Sequence, residues 1–415
     1  MAKKGSKKQS TPNLLSLIVG MIVLIGAIFA SCQESNQPVV PTTPPPTVTA
    51  VAGVPTATKA AVMPTFVPVT LATSGNVTTI NLPQGFGASK GFWQVFFTAP
   101  TGSRDPSTYV GGIDTQLVPV INSAQRTLDI AAFEWNLQSL TDAVLAAKAR
   151  GVQVRIVGDD EHNVEDSTSL TNQLIAAGIP VVSDNRSALM HNKFMIVDSS
   201  LVVTGSWNFT INDTYRNNNN ALYIRSRRAV ENYQAEFNEM FEQNRFGPRS
   251  PANTPNTSFT QDGVPIQVYF SPEDGVLAPL ITTLNSAQSS IRFMTFSFTD
   301  YDVAKAMLDR AAAGVNVQGI FETTGSQTEA SELRTLFCAG IDARQDGNPF
   351  VLHHKVFIVD NRTVVTGSFN ISTNATQSND ENLIIITDPD LAAQYLAEYD
   401  RRLKESKVPT AFTCS

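Results

Sequence analysis

The sequence predicts an α/β protein made of two copies of one lobe, each a mixed β-sheet flanked by helices. Three observations carry that expectation. Short blocks recur at nearly constant separation: Asn122-Ser123-Ala124-Gln125 returns as Asn285-Ser286-Ala287-Gln288, 163 positions on, and the segment His191 to Asn208 returns as His353 to Asn370, 162 positions on. That period is far too long for a solenoid and fits a duplicated domain. Within each copy, apolar runs of strand length alternate with stretches whose apolar residues follow helical spacing, the pattern of α/β units with parallel strands. Later in each copy, two short apolar runs are joined by a polar turn, which reads as a hairpin.

Taken in order, residues 1–31 form an export or anchoring signal. Lys3, Lys4, Lys7 and Lys8 precede an uncharged, mostly apolar run from Leu14 to Ala30, long for a signal peptide and short for a spanning helix. The run ends in Phe29-Ala30-Ser31-Cys32. Three readings follow: lipidation of Cys32, an uncleaved single-span anchor, or an ordinary cleaved signal. All three place the body outside the cytoplasm, and the basic flank on the inside agrees. Residues 32–85 read as a linker, because between 36 and 75 there are eight prolines, nine threonines and a single charge, Lys59. Such a segment cannot bury a core and favours extended chain.

Lobe 1 is expected over 86–250, a connector over 251–263, lobe 2 over 264–408 and a tail over 409–415. Strand-like runs Leu128 to Phe133 and Ile291 to Phe298 lead into helical stretches Ser139 to Arg150 and Asp302 to Ala313, each stopping before a glycine, Gly151 or Gly314. The hairpins pair Phe194–Val197 with Leu201–Thr204, and Val356–Val359 with Thr363–Thr366. The chain has 415 residues, 42% hydrophobic, enough for two substantial cores. Its net charge is −7, and the four leading lysines leave −11 on the rest. An acidic body argues against a protein that depends on non-specific grip of nucleic acid or anionic lipid. Cys32, Cys338 and Cys414 make no zinc-ligand spacing, and Cys338 and Cys414 can pair in an oxidising compartment.

The chemistry-bearing residues fall at one place in both copies. The first reads His191-Asn192-Lys193, four residues, Asp198, six residues, Gly205-Ser206-Trp207-Asn208. The second reads His353-His354-Lys355, four residues, Asp360, six residues, Gly367-Ser368-Phe369-Asn370. On a strand, His191 and Lys193 project to one face and Asn192 to the other. The hairpin returns Ser206 and Asn208 toward the same pocket, and Gly205 and Gly367 permit a close backbone approach. One copy supplies half a site for a phosphodiester. Two copies about a pseudo-twofold axis supply two imidazoles, two ammonium groups and two amides around one phosphate.

These motifs resemble the signature of the phospholipase D superfamily, HxK(x)4D(x)6GSxN, present twice; the resemblance covers about residues 90 to 405. It implies one active site shared by two lobes and phosphodiester cleavage through a phosphohistidine, without metal or cofactor. The implied catalytic residues are His191, Lys193, Asn208, His353, Lys355 and Asn370, with Asp198, Ser206, Asp360, Ser368, Glu381 and Asn219 in support. Glu381 and Asn219 stand where family members carry a polar partner for the catalytic histidine. With Glu381 expected on its own lobe's His353, a more basic imidazole there makes His353 the general acid and His191 the nucleophile. Asp198 and Asp360 are expected to build turns, while Ser206 and Ser368 either cap helices or touch phosphate. His354 is expected to pack or lie at the surface, His162 to sit in a solvated loop, the run Asn217–Asn220 to be a loop, and Glu134-Trp135-Asn136 to form pocket wall or core edge. No carboxylate cluster able to hold a metal is expected. The substrate class implied is phospholipid, met by a membrane-tethered enzyme. The alternatives are a nuclease, because Ser297-Phe298-Thr299-Asp300 is similar to small nucleases of the superfamily, and a phosphatidyl transferase of the cardiolipin synthase type.

Overall fold

In the computed structural model, which describes residues 76–410 and Cys414, the two copies fold as two sheets of matching order. The basic segment, the apolar run, Cys32 and most of the Pro/Thr-rich stretch lie outside the described residues. Lobe 1 runs β1 (Thr78–Leu82), β2 (Gly85–Lys90), β3 (Trp93–Thr98), α1 (Asp114–Ser123), β4 (Thr127–Ala132), α2 (Gln138–Ala149), β5 (Gln153–Gly158), α3 (Thr171–Ala176), β6 (Val181–Ser183), β7 (Lys193–Val197), β8 (Leu201–Gly205), α4 (Ile211–Tyr215), β9 (Asn220–Ile224) and α5 (Arg227–Gln243). Lobe 2 runs β10 (Ser258–Gln261), β11 (Val264–Ser271), α6 (Leu277–Asn285), β12 (Ser290–Thr295), α7 (Tyr301–Ala312), β13 (Asn316–Phe321), α8 (Leu333–Cys338), β14 (Asp342–Gln345), β15 (Lys355–Val359), β16 (Thr363–Gly367), α9 (Thr373–Gln377), β17 (Glu381–Thr387) and α10 (Pro389–Glu405).

Sheet order is β1-β2-β3-β9-β8-β7-β4-β5-β6 in lobe 1 and β10-β11-β17-β16-β15-β12-β13-β14 in lobe 2. The β4–β5–β6 and β12–β13–β14 ladders are parallel, and the hairpin strands join them antiparallel. Each motif strand, β7 or β15, is therefore central, with the parallel half on one side and its hairpin partner on the other. Two domain boundaries move. β1 starts at Thr78 and pairs along β2, so the linker ends before residue 85. β10 lies inside the expected connector and pairs with β11, which makes it an edge strand of lobe 2.

Strand residues alternate between two cores. Along β7, Phe194 and Ile196 enter one core and Met195 and Val197 another; along β15, Val356 and Ile358 face one way and Phe357 and Val359 the other. The first of these cores is common to both lobes and contains Tyr233 and Phe237 of α5 and Tyr395 and Tyr399 of α10. Full burial of such a side chain stabilises by about 1.5–3 kcal/mol, so one continuous core holds the two lobes together. α2 and α7 end where the sequence places their stops, at Gly151 and Gly314, both with φ of +91°. Cys338 and Cys414 are disulfide-bonded, with Cα atoms 5.3 Å apart, tying the tail to α8. No helix among the described residues is long and apolar enough to cross a membrane.

Candidate active site

The lobes meet beyond the carboxyl ends of β4 and β12, where crevices form in α/β sheets. Each motif histidine stands just before its strand and is pinned by the other lobe. His191 N donates to Asp380 O at 3.0 Å, and His353 N donates to Asn218 O at 2.9 Å. The side chains repeat this exchange: His191 Nδ1 lies 2.7 Å from Glu381 Oε2, and His353 Nδ1 lies 3.0 Å from Asn219 Oδ1. Glu381, expected on His353, is therefore the partner of His191. The docking register explains the swap, because β9 and β17 begin beside the opposing lobe's motif (Met190 bridges to Asp380, and Asn218 to Leu352).

The Asn219 amide orientation follows from its neighbours. Its Nδ2 donates to Asp213 O, and its Oδ1 accepts from Ser206 Oγ. His353 Nδ1 must then carry the proton, leaving Nε2 free. Asp213 Oδ2 stands 3.5 Å from the same Nδ1 and accepts from Asn208 N. Sequence reasoning missed Asp213; its place in lobe 2 is taken by Ala375, so the repeat gives no signal for it.

The lysines close the site. Lys193 Nζ donates to His191 O at 2.7 Å and lies over Phe133, 4.7 Å from the ring centre. Lys355 Nζ donates to His353 O at 2.8 Å and lies over Phe296 at 4.8 Å. Phe133 and Phe296 also pack edge-on to His191 and His353. Burial, then the neighbouring lysines, hold both imidazoles well below their usual pKa. Burial pushes Lys193 down to about 8 and Lys355 well below the usual ammonium value. Glu381 is pushed up to about 8 by burial, against the pull of Lys193 and the Ser368 hydrogen bond. Burial thus penalises both ammonium charges, and an incoming phosphate anion offsets that penalty. Asn208 Oδ1 and Asn370 Oδ1 are buried without a hydrogen-bond partner among the described residues, so both amides are uncommitted within the protein.

The supporting residues fall into place. Asp198, at φ +49°, accepts from the backbone N–H groups of Gln125, Arg126 and Thr127, and Asp360 from those of Gln288, Ser289 and Ser290, which fixes the turns. Ser206 and Ser368 neither cap helices nor face the pocket: Ser206 Oγ donates to Asn219 and accepts from Asn220 N, while Ser368 Oγ donates to Glu381 and accepts from Asn382 N. Gly205 and Gly367 allow this, since a Cβ there would sit 2.4 Å from Asn220 O and 2.2 Å from Asn382 O.

The asparagine run is no simple loop. Asn218 bridges the lobes, Asn219 holds His353, and Asn220 Oδ1 accepts from Thr366 and Tyr395 of lobe 2. His354 is fully buried, not at the surface, with Nδ1 near Asn220 and Nε2 3.3 Å from Glu398. His162 lies in a single π-helical turn (Asp160–Val164) with Nδ1 on Asp159 and its ring against Phe133, so it borders the site instead of standing in a solvated loop. Asp159, Asp160 and Asp184 bring carboxylate oxygens within 4.8 Å of one another, a cluster the sequence reading did not expect. Backbone N–H groups and Arg186 already engage it, and β5 and β6 assemble it from distant positions.

The duplicated sheets and paired His-Lys-Asn sets are those of a phosphodiesterase of the phospholipase D superfamily. A family model described as cardiolipin synthase, PLD-like domain, matches residues 117–241 and 280–403, and the chain belongs to this family. It is 33% identical over 160 residues to the mitochondrial cardiolipin hydrolase of Xenopus tropicalis, covering 36% of this chain and 76% of the relative. It is 32% identical over 137 residues to a phospholipase D of Rickettsia conorii, covering 33% of this chain and 68% of the relative. The solved phosphatidylserine synthase of Haemophilus influenzae Rd KW20 shares the fold, with a TM-score of 0.55 at 16% identity over 72% of this chain and 85% of that one.

Proposed function

We propose that this enzyme hydrolyses phospholipids at the headgroup phosphodiester, with His191 as nucleophile and His353 as general acid and then base. The observation that carries the reading is the pairing of one imidazole with a carboxylate and the other with an amide. Attack by His191 Nε2 on phosphorus creates a phosphorylated imidazole with a full positive charge. That charge favours the ionised form of Glu381, against the burial that raises it, and the charge-assisted hydrogen bond then stabilises the intermediate by about 1.5–3 kcal/mol. The bound phosphate anion favours the imidazolium of His353, which gives its Nε2 proton to the leaving oxygen while Nδ1–H stays on the Asn219 amide. The Asp213 carboxyl stands farther off, 3.5 Å from Nδ1. The expected division of labour is thus retained on a reversed ground, intermediate stability in place of acid basicity. Lys193, Lys355, Asn208 and Asn370 hold the non-bridging oxygens. Water activated by His353 then releases His191.

The names of the relatives, phospholipase D and cardiolipin hydrolase, support lipid over nucleic acid as substrate. So does the acidic body, which lacks the excess of basic charge a polymer of phosphates requires. We also propose an extracytoplasmic, membrane-tethered or secreted location. The lysine-flanked apolar run before Cys32 and the Cys338–Cys414 bond, which suits an oxidising compartment, support it. Assaying the purified protein on phosphatidylcholine, phosphatidylglycerol and single- and double-stranded DNA, with and without EDTA, tests the reading. Headgroup release that survives chelation is expected. Salt-sensitive DNA cleavage with no headgroup release from any lipid would replace phospholipid by nucleic acid.

A further inference from the structure

A polar cleft of about 180 Å³ opens beside the catalytic pair on the lobe 1 side, lined among others by Glu134, Asn136, His162, Asp166, Thr168 and Asn212. It borders the site, although none of the motif residues lines it. At one end Phe133 packs on the rings of both His162 and His191. At the other, Asn212 adjoins Asp213, whose carboxylate faces His353. Glu134 feels the charges of both Asp213 and Lys193, so the cleft adjoins the side of the site from which Asp213 faces His353.

Its chemistry is one-sided. No lysine or arginine lines it, while Glu134 and Asp166 do. Among the described residues the largely buried Glu134 side chain makes no hydrogen bond or close ion pair, although Lys193 and His162 stand near enough to favour its charge. A carboxylate taken from water without a donor is costly, and a ligand that supplies donors and positive charge removes that cost. The repeat does not preserve these residues: Ser297 stands in lobe 2 at the place of Glu134, and Thr324 and Gly325 at the place of His162. The cleft is a feature of one lobe, as a headgroup subsite on one side of a pseudo-symmetric phosphate site must be.

We propose that this cleft is the headgroup subsite and that Glu134 selects phospholipids with a small primary ammonium headgroup. The inference rests on the phospholipid reading above. A primary ammonium brings three N–H donors and a charge. A quaternary ammonium brings no donor and calls for an aromatic cage, and of the lining residues only Trp135 and His162 are aromatic, the Trp135 indole being buried on Thr141. A glycerol headgroup brings donors without charge. Burial, then Asp213 and Asp166, pushes Glu134 up to about 7 against the pull of Lys193 and His162. Its ionisation, and with it the preference for the ammonium headgroup, should therefore grow as pH rises through neutrality.

The test is kcat/KM on phosphatidylethanolamine and phosphatidylglycerol in the same neutral mixed micelles. The wild type should favour the first by about tenfold or more, and by less at pH 6 than at pH 8. Glu134→Gln should bring the ratio below about three and abolish its pH dependence, while Glu134→Asp should retain a preference. A merely structural role for Glu134 would lower both substrates together and leave the ratio unmoved, which would overturn the inference. A wild-type ratio near one would also overturn it. Cleavage of DNA with no turnover of either lipid would remove the phospholipid reading itself, and this inference with it.

Discussion

Glu236 of α5 and Glu398 of α10 occupy equivalent places beneath the two motif strands, 162 positions apart, and both are buried. Glu236 accepts from Asn192 at 3.0 Å. Burial, then Glu273, Asp380 and Glu239, pushes it well above the usual carboxylate range. Glu398 faces His354, Arg401 and Arg402, which together outweigh burial and hold its carboxyl below the usual value. One lobe satisfies the position by keeping a proton, the other by ion pairing. Duplication has thus preserved geometry while charge has diverged, and the same holds in the active site, where Glu381 serves one histidine and Asn219 the other. Symmetry of fold is no guide to symmetry of role.

The largest effects should fall on the pair itself. Lys193→Ala and Lys355→Ala should each lower kcat by about 10³ or more, since each removes a charge clamp on the phosphate. His353→Asn should cost about 10²–10⁴ on an ordinary phospholipid but only about tenfold on an analogue with an activated leaving group, which needs little protonation. His191→Asn should lose both activities alike. Equal rescue of the two variants would erase the difference between the lobes.

Changing the partners should sharpen the comparison. Glu381→Gln should lower kcat by about 10–100-fold, the loss of one charge-assisted hydrogen bond in the transition state. Asn219→Asp should place a second carboxylate on His353. A nearby negative charge favours the imidazolium, so the alkaline limb of the kcat/KM profile should move up by about one pH unit. No movement of that limb would mean that His353 does not supply the proton.

The buried glutamates make a smaller, stability-level prediction. Glu236 and Glu273 have folded pKa values raised above the unfolded value, Glu273 to about 8, both chiefly by burial. The folded state therefore keeps protons that the unfolded chain has released. Their contribution is fully present below about pH 4.5 and is lost as pH rises through the folded values, about 8 for Glu273. Glu236→Gln, which cannot ionise, should raise Tm relative to wild type at pH 8 and not at pH 5. Glu398→Gln should do the reverse, lowering Tm at neutral pH, because it removes the buried charge that pairs with Arg401 and Arg402. The smallest effect is Ser206→Ala against Ser368→Ala: each removes a buried hydrogen bond and costs about 1 kcal/mol of stability by denaturant titration, but only Ser368→Ala, through Glu381, should touch the His191 half.

Much of this was legible in the chain. Strand and helix positions from β4 to α2, and from β12 to α7, follow from period and glycine stops. The six motif residues follow from spacing, because i and i+2 on a strand share a face. The partners did not follow. Glu381 lies eleven positions after Asn370 in its own lobe, and only the docking of β17 against Met190 brings it to His191. Asp213 has no copy in lobe 2 and so left no repeat to read, whereas Glu134, expected as pocket wall from its place at a strand end, does line a cleft. The metal-like trio Asp159, Asp160 and Asp184 depends on strand neighbours that sequence order hides. Local pattern carries elements and faces, and contacts across the pseudo-twofold interface need the packed structure.

The most direct test of the account is to trap the covalent intermediate by rapid acid quench with a phosphorus-labelled phospholipid and to locate the label by peptide mapping. The account predicts phosphate on His191, present in His353→Asn with an activated substrate, weakened in Glu381→Gln and absent in His191→Asn. Label on His353 in the wild type would contradict it and assign the carboxylate-bound histidine to proton transfer.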